Sequence, residues 1–253
     1  MRGLRKPWPP ADVSPEGQET RTWRQAEAEF LEGLGAAADR SAHARAAFDS
    51  MEKRKLRAVM YQEQGALCVY CERPVSEGAP LPRIDHWRPL SAEPQLALHW
   101  KNLYLSCATE ETCDAHKHER PLKGDVTEAD LPWPVDHAYE RSVGFTSLGE
   151  VYVGGDAPLT DPQRRALVHA LGAPHDDQVK NSGVLNLNHP KLVAARSAAL
   201  DSERTRLERQ YKGKTATRAE REARKTALLG EHPLQPFVSI RARWLDRSLG
   251  KAR

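Results

Sequence analysis

The chain has 253 residues, 39% hydrophobic and 29% charged, and Lys+Arg 38 against Asp+Glu 35 leaves a formal net charge of +3. That length suits one or two domains, and the apolar fraction is too high for a wholly disordered chain. No apolar run reaches the roughly 18 residues that a membrane-crossing helix needs, and the basic start Met1-Arg2-Gly3-Leu4-Arg5-Lys6-Pro7 lacks the apolar stretch of a secretory signal. The expectation is a cytoplasmic protein with no membrane partner.

Taken in chain order, residues 1–20 hold Pro7, Pro9, Pro10 and Pro15 and read as an extended N-terminal arm, because proline fixes φ and removes a donor. An N-terminal helical segment follows over 21–66. Trp23, Ala26, Phe30 and Leu34 recur at helical steps over 22–34, and a single longer helix is expected over 42–64 with Phe48, Met51, Val59 and Met60 inward. The texture changes over 67–120, where all four cysteines lie beside short strand-like runs at 67–70 and 103–105. After a loop from 121 to about 140, residues 142–145 and 150–153 read as a hairpin. Asp161-Pro162 reads as an N-cap followed by proline at the first helical position, opening a helix to 171. Helical patterning then covers the stretch from 190 to 211, breaks at Gly213, resumes over 216–229 and closes with 237–249. The region 121–253 is thus a hairpin plus C-terminal helices. Residues 201–225 carry nine basic and five acidic side chains; this segment is either a phosphate-facing surface or a solvated helix laced with salt bridges.

Cys68 and Cys71 form a C-x-x-C knuckle, and Cys107 and Cys113 form a second pair with a five-residue spacer. A reducing compartment favours metal over disulfides, and four thiolates match the closed tetrahedral site of structural Zn²⁺. Between the pairs lie Arg83-Ile84-Asp85-His86-Trp87-Arg88 and Trp100-Lys101-Asn102-Leu103, and the second pair overlaps Cys113-Asp114-Ala115-His116-Lys117.

The order Asp-His, Asn, Cys-Asp-x-His-Lys, interleaved with paired cysteines, resembles the HNH (ββα-metal) endonuclease motif. The likeness extends to Met1-Arg2 and Lys6-Pro7, to Cys68-Val69-Tyr70-Cys71-Glu72, to Trp100 through Cys107, and to Gly183 through Leu192 ahead of Arg196. With these the chain is similar to the HNH nuclease subunit of Septu and retron-linked anti-phage systems, the PtuB-like family. The resemblance implies an α+β, mostly α fold. A small ββα-metal core spanning 67–120, stapled by a four-cysteine zinc site, would be surrounded by helices.

The chemistry that the resemblance implies is phosphodiester hydrolysis, with DNA the expected nucleic acid. His86, whose imidazole titrates near pH ~6.5, would be the general base. Asp85 and either Asp114 or His116 would bind one Mg²⁺ or Mn²⁺, a hard cation held by few protein ligands. Asp114 stands where the family's usual ending has His or Asn, and His118 is a more remote substitute. Asn102 would hold the loop that carries His86. Adjacent positions on a strand point to opposite faces, so Asp85 and His86 reach one site only if the strand bends or ends there. Arg83, Arg88 and Lys117 are candidate phosphate contacts, and His99 reads as structural. The resemblance also implies an ABC-type ATPase partner (PtuA-like), since no G-x-x-x-x-G-K-[ST] occurs here. The rival reading is a non-catalytic zinc module that binds nucleic acid or a protein.

Overall fold

A capping box opens the first helix. Thr22 Oγ1 accepts from the Gln25 N–H at 3.3 Å and the Gln25 side chain accepts from the Thr22 N–H at 2.9 Å, so α1 (Trp23–Leu34) begins there and buries Trp23, Ala26, Phe30 and Leu34. This computed structural model describes residues 4–6, 9–119, 126–154, 158–172, 183–212 and 214–247. The expectations for Met1, Arg2, Pro7, Gly213 and 248–249 lie outside them.

The single helix expected over 42–64 is two, α2 (Arg40–Asp49) and α3 (Lys53–Glu63). No glycine or proline marks the break; the N-terminal arm makes it. The Glu52 N–H leaves the helix to donate to the Val13 carbonyl at 3.0 Å, and its side chain caps α3 by accepting from the Arg54 N–H at 2.9 Å. Lys53 meanwhile donates to the Phe48 carbonyl at the end of α2. The arm itself is packed down: Leu4 and Val13 are buried, and Lys6 Nζ sits 3.1 Å from Glu63 and 4.1 Å from the centre of the Trp100 ring. Burial pulls the Lys6 amine down to about 8.

The run at 67–70 is a turn rather than a strand, closed by an isolated bridge between Leu67 and Pro74. Downstream, β1 (Arg83–His86) pairs antiparallel with β2 (Leu103–Ser106), in the register Asp85 opposite Tyr104 and His86 opposite Leu103. The Gln64 amide satisfies the outer edge of β2, accepting from the Leu105 N–H at 2.7 Å and donating to its carbonyl at 2.9 Å. α4 (Cys113–Glu119) follows β2 directly.

Helix α5 (His137–Ser142) falls in the expected loop and leads into the hairpin of β3 (Val143–Phe145) and β4 (Val151–Val153), whose turn passes through Gly149 at φ +95°. A side chain at Gly149 would meet the Val193 carbonyl at 2.6 Å, so glycine is required there. α6 (Asp161–Leu171) is capped by Thr160 rather than Asp161, again through a capping box, with Gln163. α7 (Pro190–Gln210), α8 (Arg218–Gly230) and α9 (Val238–Arg247) complete the described chain.

The architecture is α+β and mostly helical, with two small two-stranded sheets. The main core runs from α1 through the cysteines to α7, and a satellite core gathers Leu207, Leu228, Leu234, Val238 and Leu245. Much of the basic segment 201–225 is tied up internally. Buried Glu203 pairs with Arg224 at 2.6 Å and Arg241 at 3.1 Å, while Lys225 pairs with Asp246 at 2.8 Å. Among the described residues no helix is long and apolar enough to cross a membrane.

Candidate functional site

Four cysteines from three separate segments meet in the main core. Cys68 and Cys71 come from the turn before β1, Cys107 from the end of β2, and Cys113 opens α4. Their sulfur atoms all lie within 4.8 Å of one another, with Cys68–Cys113 at 3.9 Å and Cys71–Cys107 at 3.8 Å. A disulfide needs about 2.05 Å, whereas thiolates around a tetrahedral ion with Zn–S of about 2.3 Å stand roughly 3.8 Å apart. The donor set therefore fits a metal ion such as zinc. Burial pushes the Cys68 and Cys113 thiols well up, so a nearby cation is what would turn them into thiolate ligands.

The backbone is bent to make this possible. Glu72 and Cys113 both adopt left-handed φ, +60° and +62°, a conformation that costs non-glycine residues of order 1–3 kcal/mol. Neighbouring contacts hold them. The Glu72 carboxylate accepts from the Ser239 N–H at 3.0 Å and also from its hydroxyl, and the Cys113 N–H donates to the Leu185 carbonyl at 2.9 Å. Arg73 pins the five-residue spacer, donating to Thr109 at 2.9 Å and Thr112 at 3.0 Å with Cys107 Sγ 3.6 Å away.

Because Cys113 is fixed against the end of β2, the first turn of α4 faces β1. Asp85, His86, Asp114 and Lys117 line one open cleft of about 430 Å³. Asp85 and His86 share it because β1 ends at His86. Lys117 Nζ lies 3.1 Å from Asp85, 2.9 Å from the His86 carbonyl and 3.2 Å from the Trp87 carbonyl, closing the strand end. Tyr70 donates to the same Asp85 oxygen. Burial alone would raise the Asp85 carboxyl, but Lys117 and the Tyr70 hydroxyl together hold it below its ordinary value. Asp114 is pushed up to about 7, first by burial and then by the Asp85 charge, so without a cation the proton sits on Asp114 and the charge on Asp85.

The His86 ring is fixed on two sides. Phe48 meets it edge to face with centroids 4.6 Å apart, and its Nε2 stands 3.0 Å from the Ala97 carbonyl. A carbonyl only accepts, so Nε2 carries the hydrogen and Nδ1 keeps the lone pair. Burial holds the ring below its ordinary value, and it is neutral at pH 7. Asn102 is fully buried and clasps the loop after His86. Its amide donates to the Arg88 and Leu96 carbonyls at 3.0 and 3.1 Å and accepts from the Arg88 N–H at 2.8 Å.

The remaining expected residues divide. His116 points away from the acid pair, donating from Nδ1 to the Val184 carbonyl at 2.8 Å, and the His118 side chain lies outside the described residues. Of the two candidates for a ligand beside Asp85, the structure brings Asp114 there. Arg83 is exposed and 3.7 Å from Asp114. Arg88 pairs with Glu93 at 3.2 Å and stacks over Trp133. His99 is 3.7 Å from Glu27. Sequence reasoning missed Tyr70, Phe48 and the Ala97 carbonyl as parts of the site, while the turn 183–188 beneath α4 lies in the Gly183–Leu192 stretch already picked out by the resemblance. Only Tyr70 carried a signal, as the aromatic inside the C-x-x-C knuckle. The chain matches no known protein family and no curated protein.

Two measurements check this geometry. Elemental analysis of purified protein is expected to give close to one zinc per chain, and Cys71→Ser is expected to lose both the zinc and the near-ultraviolet circular dichroism of the central aromatics. A well-folded, zinc-free Cys71→Ser protein would reject a structural ion. For the acid pair the sign follows from a folded-state pKa raised from 3.8 to about 7. The contribution of Asp114 is fully present below pH ~4 and lost as pH rises through about 7. In zinc-loaded protein without other divalent ions, the Tm of wild type should therefore fall relative to Asp114→Asn across that window. Mg²⁺ should recover wild type alone. Parallel Tm curves would contradict the shared proton.

Proposed function

We propose that the protein is a metal-dependent HNH-type endonuclease that hydrolyses phosphodiester bonds in DNA. In this reading the β1–β2–α4 unit is the ββα-metal core, zinc occupies the cysteine site, and Asp85 with Asp114 holds Mg²⁺ or Mn²⁺. The observation that carries the reading is the convergence, in one cleft, of a carboxylate pair and a neutral imidazole whose Nδ1 is unclaimed among the described residues. Two carboxylates on one hard cation leave coordination positions for a phosphate.

The chain's own residues have distinct tasks. His86 Nδ1 takes the proton of an attacking water while its Nε2–H stays on Ala97, which keeps the ring from turning as its charge changes. A P–O bond forms to the water oxygen, the opposite P–O bond to the sugar breaks, and solvent protonates the departing oxygen. When bound, the divalent ion supplies charge neutralisation on the phosphate and the departing oxygen. Lys117 keeps Asp85 ionised, and Asn102 fixes the loop. As effector of a cytoplasmic anti-phage system, the protein would act beside an ABC-type ATPase; that assignment rests on the sequence resemblance alone.

The test is plasmid DNA in Mg²⁺ or Mn²⁺, with and without the ATPase, against His86→Ala. Wild type is expected to cleave and His86→Ala to lose about 10²–10⁴-fold in rate, the usual contribution of a general base. Equal activity in both would reject His86 as the base. Inertness of both with the ATPase present would favour a non-catalytic zinc module, and cleavage confined to RNA would correct the substrate.

A further inference from the structure

Of the basic residues of the β1–β2–α4 unit near the cleft, Arg88 and Lys117 are engaged within the protein, and Arg83 does not line the cleft. Arg88 is committed to Glu93 and Trp133, Lys117 to Asp85 and two carbonyls, and Arg83 lies 3.7 Å from Asp114. Yet a phosphodiester entering the cleft brings a negative charge toward Asp85 and Asp114. The divalent ion of the proposed site would offset part of that charge, and a further cation aimed at the cleft would hold the strand in place.

α2 supplies one. Ser41, Arg45 and Phe48 recur at i, i+4 and i+7, which places them along one side of the helix. The two outer members both grip the segment that carries His86. Ser41 Oγ is 3.4 Å from the Leu90 carbonyl, and the Phe48 ring meets the His86 ring at 4.6 Å. Arg45 stands between them, is exposed, and lines the same cleft as Asp85, His86 and Asp114. No hydrogen bond or ion pair engages its guanidinium among the described residues. The N-terminus of α2 is set independently of Arg45, by Asp39 accepting from the Ala42 N–H at 2.9 Å.

From this we infer that Arg45 is the phosphate-binding residue of the cleft, contributed by the N-terminal helices rather than by the β1–β2–α4 unit. The inference rests on the endonuclease reading and deepens it. A guanidinium offers a planar pair of donors to two oxygens of one phosphate, which an ammonium does not.

The experiment compares wild type, Arg45→Ala, Arg45→Lys and Arg54→Ala, an exposed arginine on α3 that does not line this cleft. Each is assayed for plasmid cleavage in Mn²⁺, with and without the ATPase. Binding of a short DNA duplex is measured across salt concentrations in the His86→Ala background. Arg45→Ala should lose about 10–100-fold in cleavage and Arg45→Lys part of that, with Arg54→Ala within about twofold of wild type. The slope of log affinity against log salt should fall by about 0.9 for Arg45→Ala, the loss of one phosphate contact. Zinc content and Tm should match wild type. If wild type cleaves, His86→Ala does not, and Arg45→Ala retains both full rate and slope, the Arg45 assignment is overturned with the nuclease reading intact. If nothing cleaves but the slope still falls by that amount, the phosphate contact stands and the nuclease reading fails. Absence of duplex binding by the parent protein, or a Tm drop that accounts for the lost rate, also overturns the assignment.

Discussion

Four buried sulfur atoms must agree on one centre, and most of what surrounds the cleft follows from that agreement. The knuckle at 68–71 is far in sequence from the end of β2 and the start of α4, and it carries little regular structure of its own. Thiols packed at 3.8–3.9 Å and shut away from water gain little from one another; a shared cation gives each a partner of opposite charge. Once Cys113 is fixed against the end of β2, α4 has one orientation. Asp114 then falls beside Asp85, and Lys117 reaches the end of β1. The left-handed backbone at Cys113, and at Glu72 directly after Cys71, is local strain accepted where the chain turns its cysteines inward.

Electrostatics then sort the groups in the cleft. Two acids, one amine, one imidazole and the Arg45 guanidinium stand within it, and the surroundings push the first four apart in character. Lys117 and Tyr70 keep Asp85 charged, burial and then the Asp85 charge make Asp114 reluctant to ionise, and burial keeps His86 neutral. A carboxylate pair that shares a proton near neutral pH resembles a site waiting for a divalent cation more than a structural ion pair. That is the physical basis of the endonuclease proposal. The sequence resemblance adds a reaction class to it.

Features written in local chemistry were legible before any coordinates. The stripe of α1, the hairpin of β3 and β4, the helix behind Asp161-Pro162 and the pairing of the cysteines all follow from spacing and capping within a few residues. The division between α2 and α3 was not legible, because its cause is a hydrogen bond from Glu52 to Val13 across nearly forty positions. The strand-like run at 67–70 was overridden by the demand that Cys68 and Cys71 face one centre. Around the cleft, the order Asp85, His86, Asp114, with Asn102 buried behind the loop after His86, could be read from the chain. That Asp114 rather than His116 stands beside Asp85 could not, since it depends on the turn at 183–188 claiming His116 through Val184. Arg45 gave no signal either. Its position has meaning only once α2 is laid against the loop after His86.

Joint uptake of a divalent ion by Asp85 and Asp114, beside His86, is what the endonuclease proposal requires. Crystals of the zinc-loaded protein soaked in Mn²⁺ and measured at the manganese absorption edge would show this directly. A single anomalous peak is predicted in the cleft, within coordination distance of one carboxylate oxygen from each aspartate, and absent from Asp114→Asn. No peak at the pair, or a peak held by His116 instead, would contradict the central claim.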